Sequence, residues 1–421
     1  MDLNTEVLDA DVAFIPRKLK TPLLLSSGLI SELTEARAAV TVRAAGRVGR
    51  GRGSIYLSDV WAWPDASLTH EFRDAALRGF CEDVARGLYA HCGGEPGHPL
   101  TLGLRLHESV ASVSSPPALA RAMCASPFDA AIHDAVGIAT GRSAFRFYAG
   151  AAPFPDVDGL FSVGGACAAI QRLFHSPNPS LRAWWVVGSA DDLGTDLAQV
   201  IRDHGYRGFK LKIPGKDNAA DAARTVEVYR ALRGHGVDDP ALTADSNEAN
   251  PDAESVLDYL QRLRAEDSEA FRALRYLEQP TGRDILLHPQ DWRAVTRLKP
   301  VFLDEGLTSL ELLPEAKSQG WNGLALKTCK GHSFALLAAA WARENGMRLA
   351  LQDLTNPGFA AIHAALFAAH VPMVNGVEIN SPQFTPDANA EWLPRLAGIF
   401  EPVDGMHRID NPHAMGLGST L

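Results

Sequence analysis

Gly208-Phe209-Lys210-Leu211-Lys212-Ile213 is an apolar, strand-like run that carries two lysines at alternate positions. Side chains two apart on a strand point to the same face, so Lys210 and Lys212 project together while Phe209 and Leu211 face the other way. Two ammonium groups on a buried face are costly unless anions, a metal site or a depressed pKa relieves them. Taken alone, the stretch fits equally well an edge strand whose lysines face water. Its surroundings decide between the two.

From residue 183 onward, short apolar runs alternate with helical stretches. The runs are 184–187, 208–213, 241–244, 274–277, 301–303, 323–326, 347–351 and 377–379, and helical spacing marks 221–232, 253–263 and 333–344. Eight such runs in about 200 residues predict an α/β fold of the TIM-type (β/α) barrel kind. A doubly wound sheet is the alternative, weakened because no GxGxxG or P-loop opens any helix.

Ionisable residues recur where these runs end: Lys212, Asp245, Glu278, Asp304-Glu305, Lys327 and Asp353, with Glu378 inside the last run. The gaps from Lys212 to Lys327 are 33, 33, 26 and 23 residues, each the length of a βα unit. Barrel enzymes keep their active sites at the C-terminal ends of the strands. Three carboxylates converging there suggest a hard divalent cation, and Mg²⁺ prefers such oxygen ligands. Flanking lysines supply the other half of a proton-transfer site, since a lysine base must be neutral and a neighbouring cation favours that form. Abstraction of a proton α to a carboxylate needs both parts, because its enediolate carries extra negative charge.

Five stretches, 208–212, 244–247, 277–280, 303–305 and 325–327, together with the lead-in Pro127-Phe128-Asp129-Ala130-Ala131-Ile132-His133-Asp134, resemble the enolase superfamily in its mandelate racemase/muconate-lactonizing branch. Sites of that superfamily set a Lys or His base beside Mg²⁺. The resemblance covers residues 115–381 and implies a modified (β/α)7β barrel with an α+β cap. It implies Asp245, Glu278 and Asp304 as ligands of one Mg²⁺. Lys212 and Lys327 become acid/bases on opposite faces of a small carboxylate substrate, with Lys210 tuning Lys212. Asn247, Glu305, Asp353, Glu378 and Tyr56 are expected to contact substrate, although strand alternation should turn Glu305 away from the face of Asp304.

Opposed lysines resemble the muconate-lactonizing subgroup. The racemase subgroup places a histidine after the seventh strand, where this chain reads Leu351-Gln352-Asp353-Leu354. Glu378-Ile379-Asn380 lacks the Asp-x-Asp that dipeptide epimerases of this fold use for an ammonium group, which argues against a dipeptide substrate. Racemisation or epimerisation is the expected reaction, with dehydration or cycloisomerisation through the same intermediate as the alternative. A Schiff-base aldolase and an inactive metal-binding scaffold are more remote. Lys330 and His332 read as a solvated loop lysine and a helix-start histidine.

Domains are expected at 1–115 (α+β cap), 116–180 (helical connector and linker), 181–380 (barrel) and 381–421 (a tail packing on the cap). Within the cap, 39–43 reads as a strand, 46–53 as turn residues, 72–89 as a helix and 101–105 as a returning strand. Loops at 22–29, with Ser26-Ser27-Gly28, and at 55–64, with Tyr56, Trp61 and Trp63, would touch substrate if they line the barrel mouth, or else pack on the neighbouring domain. The Pro-, Gly- and Ser-rich 153–180 reads as a lid or linker rather than core.

Of 421 residues, 46% are hydrophobic and 21% charged, ordinary for a globular chain, and the formal charge of −10 argues against nucleic acid or an anionic membrane as partner. Five scattered cysteines without CxxC spacing favour a reducing compartment and give no zinc signature. The acidic start lacks the features of a signal peptide, and no apolar run reaches membrane-spanning length, so a cytoplasmic homo-oligomer is expected.

Overall fold

The computed structural model describes residues 3–25, 28–162, 164–353 and 355–421. The chain begins with an antiparallel meander, β1 (Thr5–Leu25), β2 (Gly28–Ala44) and β3 (Arg47–Tyr56), in the order β1-β2-β3. Ala45 and Gly46, both at positive φ, make the two-residue hairpin between β2 and β3. Residues 46–53 are therefore mostly strand, and their glycines serve packing rather than turning. Helix Ala118–Thr140 lies directly on β3: a Cβ on Gly51 would stand 2.1 Å from the backbone nitrogen of Ala135, and one on Gly53 2.1 Å from the carbonyl oxygen of Pro127.

Residues 101–105 lie in helix Pro99–Ala111, not in a returning strand. Leu102 and Leu106 are buried at helical spacing, and Pro99 occupies the first turn, where its missing N–H is harmless. Residues 72–89 fall within helix His70–His91. The 153–180 segment is also more than a linker. It contains helix Gly165–Leu173, and Phe154, Phe161 and Ile170 are buried, so its apolar residues outweigh its turn residues. Of the loop at 22–29, Ser26 and Ser27 lie outside the described residues, and most of the remainder extends β1 and β2 as a long hairpin.

The second unit is a curled parallel sheet of seven strands, each strand paired with the next in chain order: β5 (Trp184–Val187), β6 (Gly208–Lys212), β7 (Ala241–Asp245), β8 (Leu274–Glu278), β9 (Val301–Leu303), β10 (Gly323–Lys327) and β11 (Arg348–Gln352). It forms the TIM-type barrel of the fold, with the meander as its cap. A short strand β4 (Ser180–Arg182) precedes β5 and pairs with β12 (Met406–Arg408) near the end of the chain. The eighth run, 377–379, is not a full strand. Glu378 bridges to Gln352, its N–H donating to Leu351 O at 3.1 Å. The seam next to β5 is held by a side chain: the Gln383 amide accepts from Val186 N and donates to Val186 O, both at 2.9 Å. A glutamine thus supplies the two ladder bonds that a longer strand would have made.

The tail returns to the connector helix. Leu417 N donates to Asp134 Oδ1 at 2.8 Å, and the other oxygen of Asp134 accepts from Arg52 N of β3 at 2.9 Å. One buried carboxylate therefore ties tail, connector and cap together.

Candidate active site

Because β6, β7 and β8 run in parallel register, Lys212 stands opposite Asp245 and Asp245 opposite Glu278, and across the barrel Lys327 stands opposite Gln352. Equal register puts these strand-final residues at one height, as a ring around the barrel mouth. Asp304 follows the last residue of β9 and completes it. Lys210, Lys212, Lys327, Asp245, Glu278 and Asp304 all line one enclosed cavity of about 60 Å³ between barrel and cap.

Lys210 is only 3% exposed, which rules out the solvated-edge reading of its strand. Its Nζ lies 3.0 Å from Asp245 Oδ2, 2.9 Å from Glu278 Oε1 and 3.6 Å from Glu378 Oε1. Lys212 Nζ donates to Asp245 Oδ2 at 2.6 Å and to Asn247 Oδ1 at 2.9 Å. Lys327 Nζ stands 2.9 Å from Asp304 Oδ2 and 3.7 Å from Glu278 Oε1. Burial disfavours charge on Lys327, but Asp304 and Glu278 outweigh it, and its pKa rises above the ordinary lysine value. Burial likewise works against Asp245, yet Lys210 and Lys212 hold its carboxyl well below the usual range.

Two acids go the other way. Burial pushes Glu278 up to about 7, and burial with the charges of Asp304 and Asp245 pushes Glu305 up to about 8. Glu305 is in the site because β9 ends at Leu303, so that Asp304-Glu305 is a turn to which strand alternation does not apply. Its Oε1 accepts from Trp61 Nε1 at 2.8 Å and from Asn247 Nδ2 at 3.2 Å, while its buried Oε2 has no hydrogen-bond partner.

Three expectations need correction. Lys330 is not solvated: the turn Thr328–Lys330 folds back over the strand ends, and its Nζ donates to Asp304 O at 2.5 Å and Oδ1 at 3.1 Å. His332 begins helix His332–Glu344 as expected, and it is fully buried there, its Nδ1 2.8 Å from His363 Nε2. Tyr56 does not reach the cavity; its hydroxyl donates to Thr385 Oγ1 at 3.0 Å, and the neighbouring Trp61 lines the wall instead. Asp353, just past the end of β11, also points elsewhere, and its Oδ1 accepts from Thr355 N at 2.7 Å. Glu378 and Asn247 do line the cavity.

Gln352 is a site residue that the sequence reading misses. Its amide accepts from Lys327 and donates to Glu278, joining the two sides of the ring. Its strand-final position, equivalent to that of Lys212 and Glu278, is the signal that could have found it.

The donor set suits Mg²⁺ in kind, being three hard carboxylates on adjacent strands. Among the described residues no group of three ligand side chains is already drawn together around a metal position. Ammonium groups stand between the carboxylates instead. The orphaned buried oxygen of Glu305, and the crowding of Asp245, Glu278, Asp304 and Glu305 around one cavity, leave room for further positive charge, and on that ground the residues fit the cation.

A family model described as enolase C-terminal domain-like matches residues 192–421, more than half of the chain. The chain belongs to the enolase superfamily. Within this superfamily of enzymes it is of the mandelate racemase/muconate lactonizing enzyme type. No curated protein matches it in sequence. Among solved structures it resembles an enolase from Bradyrhizobium complexed with magnesium and mandelic acid, at 19% identity and TM-score 0.65, covering 99% of this chain and 96% of that one. A dipeptide epimerase from Enterococcus faecalis V583, complexed with Mg and L-Leu-L-Tyr, matches at 17% and 0.64 over 98% and 99%. A muconate lactonizing enzyme from Pseudomonas fluorescens, complexed with muconolactone, matches at 18% and 0.64 over 99% and 96%. At these identities the likeness speaks for the fold.

Proposed function

We propose that this superfamily member removes and returns the proton α to the carboxylate of a small acid, with Lys212 and Lys327 acting on opposite faces. One observation carries the reading. β6 and β10 stand four strands apart in the curled seven-stranded sheet, and their terminal lysines line a single cavity from separate sides of the strand order. Abstraction by one lysine and return by the other inverts the α-carbon, which is racemisation or epimerisation.

Asp245, Glu278 and Asp304 would hold Mg²⁺, the ion bound in the Bradyrhizobium and Enterococcus neighbours. Bound there, it would supply positive charge beside the substrate carboxylate as the enediolate forms. Lys210 adds a fixed cation beneath it, and Gln352 keeps Lys327 aimed at the cavity. Leu19, Leu23, Leu25, Ile30 and Leu33 of the cap close the cavity from above, with Phe384 beside them. Such a roof leaves a sugar's hydroxyls unpaired and favours an acid with an apolar body, such as an N-acyl amino acid or an aryl hydroxyacid.

The test is proton exchange in D₂O with Mg²⁺ over N-acyl amino acids, proline derivatives, aryl hydroxyacids and acid sugars. Deuterium should enter an apolar substrate with inversion, and Lys212→Ala and Lys327→Ala should each lose about a hundred- to ten-thousandfold in rate while circular dichroism stays native. Full activity in either variant would overturn the two-base reading. Loss of water, or ring closure, would assign the same groups to a dehydratase or cycloisomerase.

A further inference from the structure

A second and larger cavity, of about 690 Å³, opens at the opposite end of the barrel. Its wall is made by the starts of strands rather than their ends: Trp184 opens β5, Arg348 opens β11, and Arg275 is the second residue of β8. Arg182, at the end of β4, adds a third guanidinium. Among the described residues no aspartate or glutamate lines this cavity, and none forms an ion pair with Arg182 or Arg348. Arg275 reaches only Asp239, at 3.8 Å, and that side chain is itself 84% exposed.

This gathering stands in a chain of net charge −10, so the three arginines form a local basic concavity against an acidic background. All three are solvent-exposed, and like charges lining one concavity repel one another. Partial burial, and after it the neighbouring Arg275, lowers the Arg182 pKa. The floor is rigid and apolar. Tyr276 and Phe302 stack with centroids 4.3 Å apart and planes 7° from parallel. Tyr276 precedes Glu278 by two residues on β8, so the stack is the layer that separates this cavity from the carboxylate ring.

We propose that this cavity binds a small, multiply charged oxyanion, a polyphosphate or a polycarboxylate, through Arg182, Arg275 and Arg348. Guanidinium forks match the paired oxygens of both groups. The volume is that of a small-molecule site, and Trp184, Pro300, Pro372 and Met373 offer apolar surface to an organic body on the ligand.

Titration calorimetry on the full chain at constant ionic strength tests this with pyrophosphate, citrate and ADP, and with chloride as the monovalent control. Saturable one-to-one binding of a multivalent anion is expected, and the tighter of pyrophosphate and citrate names the oxyanion. Arg275→Gln, Arg348→Gln and Arg182→Gln should each weaken it by about tenfold or more. Lys212→Ala should bind it as the native chain does, because the catalytic lysines lie beyond the Tyr276–Phe302 layer. Absence of saturable binding up to about 10 mM would overturn the proposal. So would unchanged affinity in all three arginine variants, or loss of binding in Lys212→Ala.

Discussion

Lys330 ties the carboxylate ring to the backbone that carries it. Its ammonium group, 2% exposed, bonds both the main-chain oxygen and Oδ1 of Asp304, so one side chain sets the turn after β9 and compensates its charge. Removing one partner of a buried charged pair strands the other. Lys330→Met should therefore lower the unfolding free energy by about 3 kcal/mol in urea at neutral pH without divalent ion. An effect below about 1 kcal/mol, the range of an exposed ion pair, would mean that Asp304 is held by Lys327 alone. The sequence hides this role, because a lysine three residues past a strand end is usually on a mobile loop. A fold-back over the barrel mouth leaves no periodic trace.

At the scale of elements, the contact of β3 with helix Ala118–Thr140 determines how closely the cap approaches the connector. Gly49, Gly51 and Gly53 alternate along β3, and each would drive a Cβ into the helix backbone at 2.2 Å or less. No rotamer relieves a clash with backbone. Gly51→Ala should destabilise by about 3 kcal/mol or more, or abolish soluble expression. Gly79, inside helix His70–His91, has nothing within 4 Å of its Cβ position. Gly79→Ala should instead stabilise by about 0.5–1 kcal/mol through helix propensity and the unfolded chain. Thermal melts of the two variants, compared with the native chain, check both signs. If they shift together, close packing is not what β3 glycines provide.

For the whole molecule, the site exists only where two units meet. The barrel supplies the charged ring, and the cap supplies the leucine roof and Trp61, whose indole N–H bonds Glu305. The barrel mouth holds more carboxylates than lysines, so a divalent cation should stabilise the native state by mass action. Saturating Mg²⁺ is expected to raise the melting temperature by about 2–5 °C, and Glu278→Gln should abolish the rise. A shift that persists in Glu278→Gln would place the cation elsewhere.

The order of strands, the barrel class and the strand-end acids and lysines were legible in the sequence, because period-two runs and βα spacing are local properties of the chain. Lys210, Lys212, Asp245, Glu278, Asp304 and Lys327 could be found that way, each by its place in a run. Whether the lysines of 208–213 face water or carboxylates could not, since either strand has the same sequence. Closure of the barrel decided it. Glu305 entered the site because Asp304-Glu305 is a turn after β9 rather than a continuation of the strand. Tyr56 and Asp353 left it because their side chains are turned towards other elements. Gln352 and the Gln383 seam became meaningful only with partners distant in sequence. The alternating lysines were an anomaly on an apolar strand, and the parallel register of β6 to β8 is what sets their charges against three carboxylates from two neighbouring strands and the eighth run.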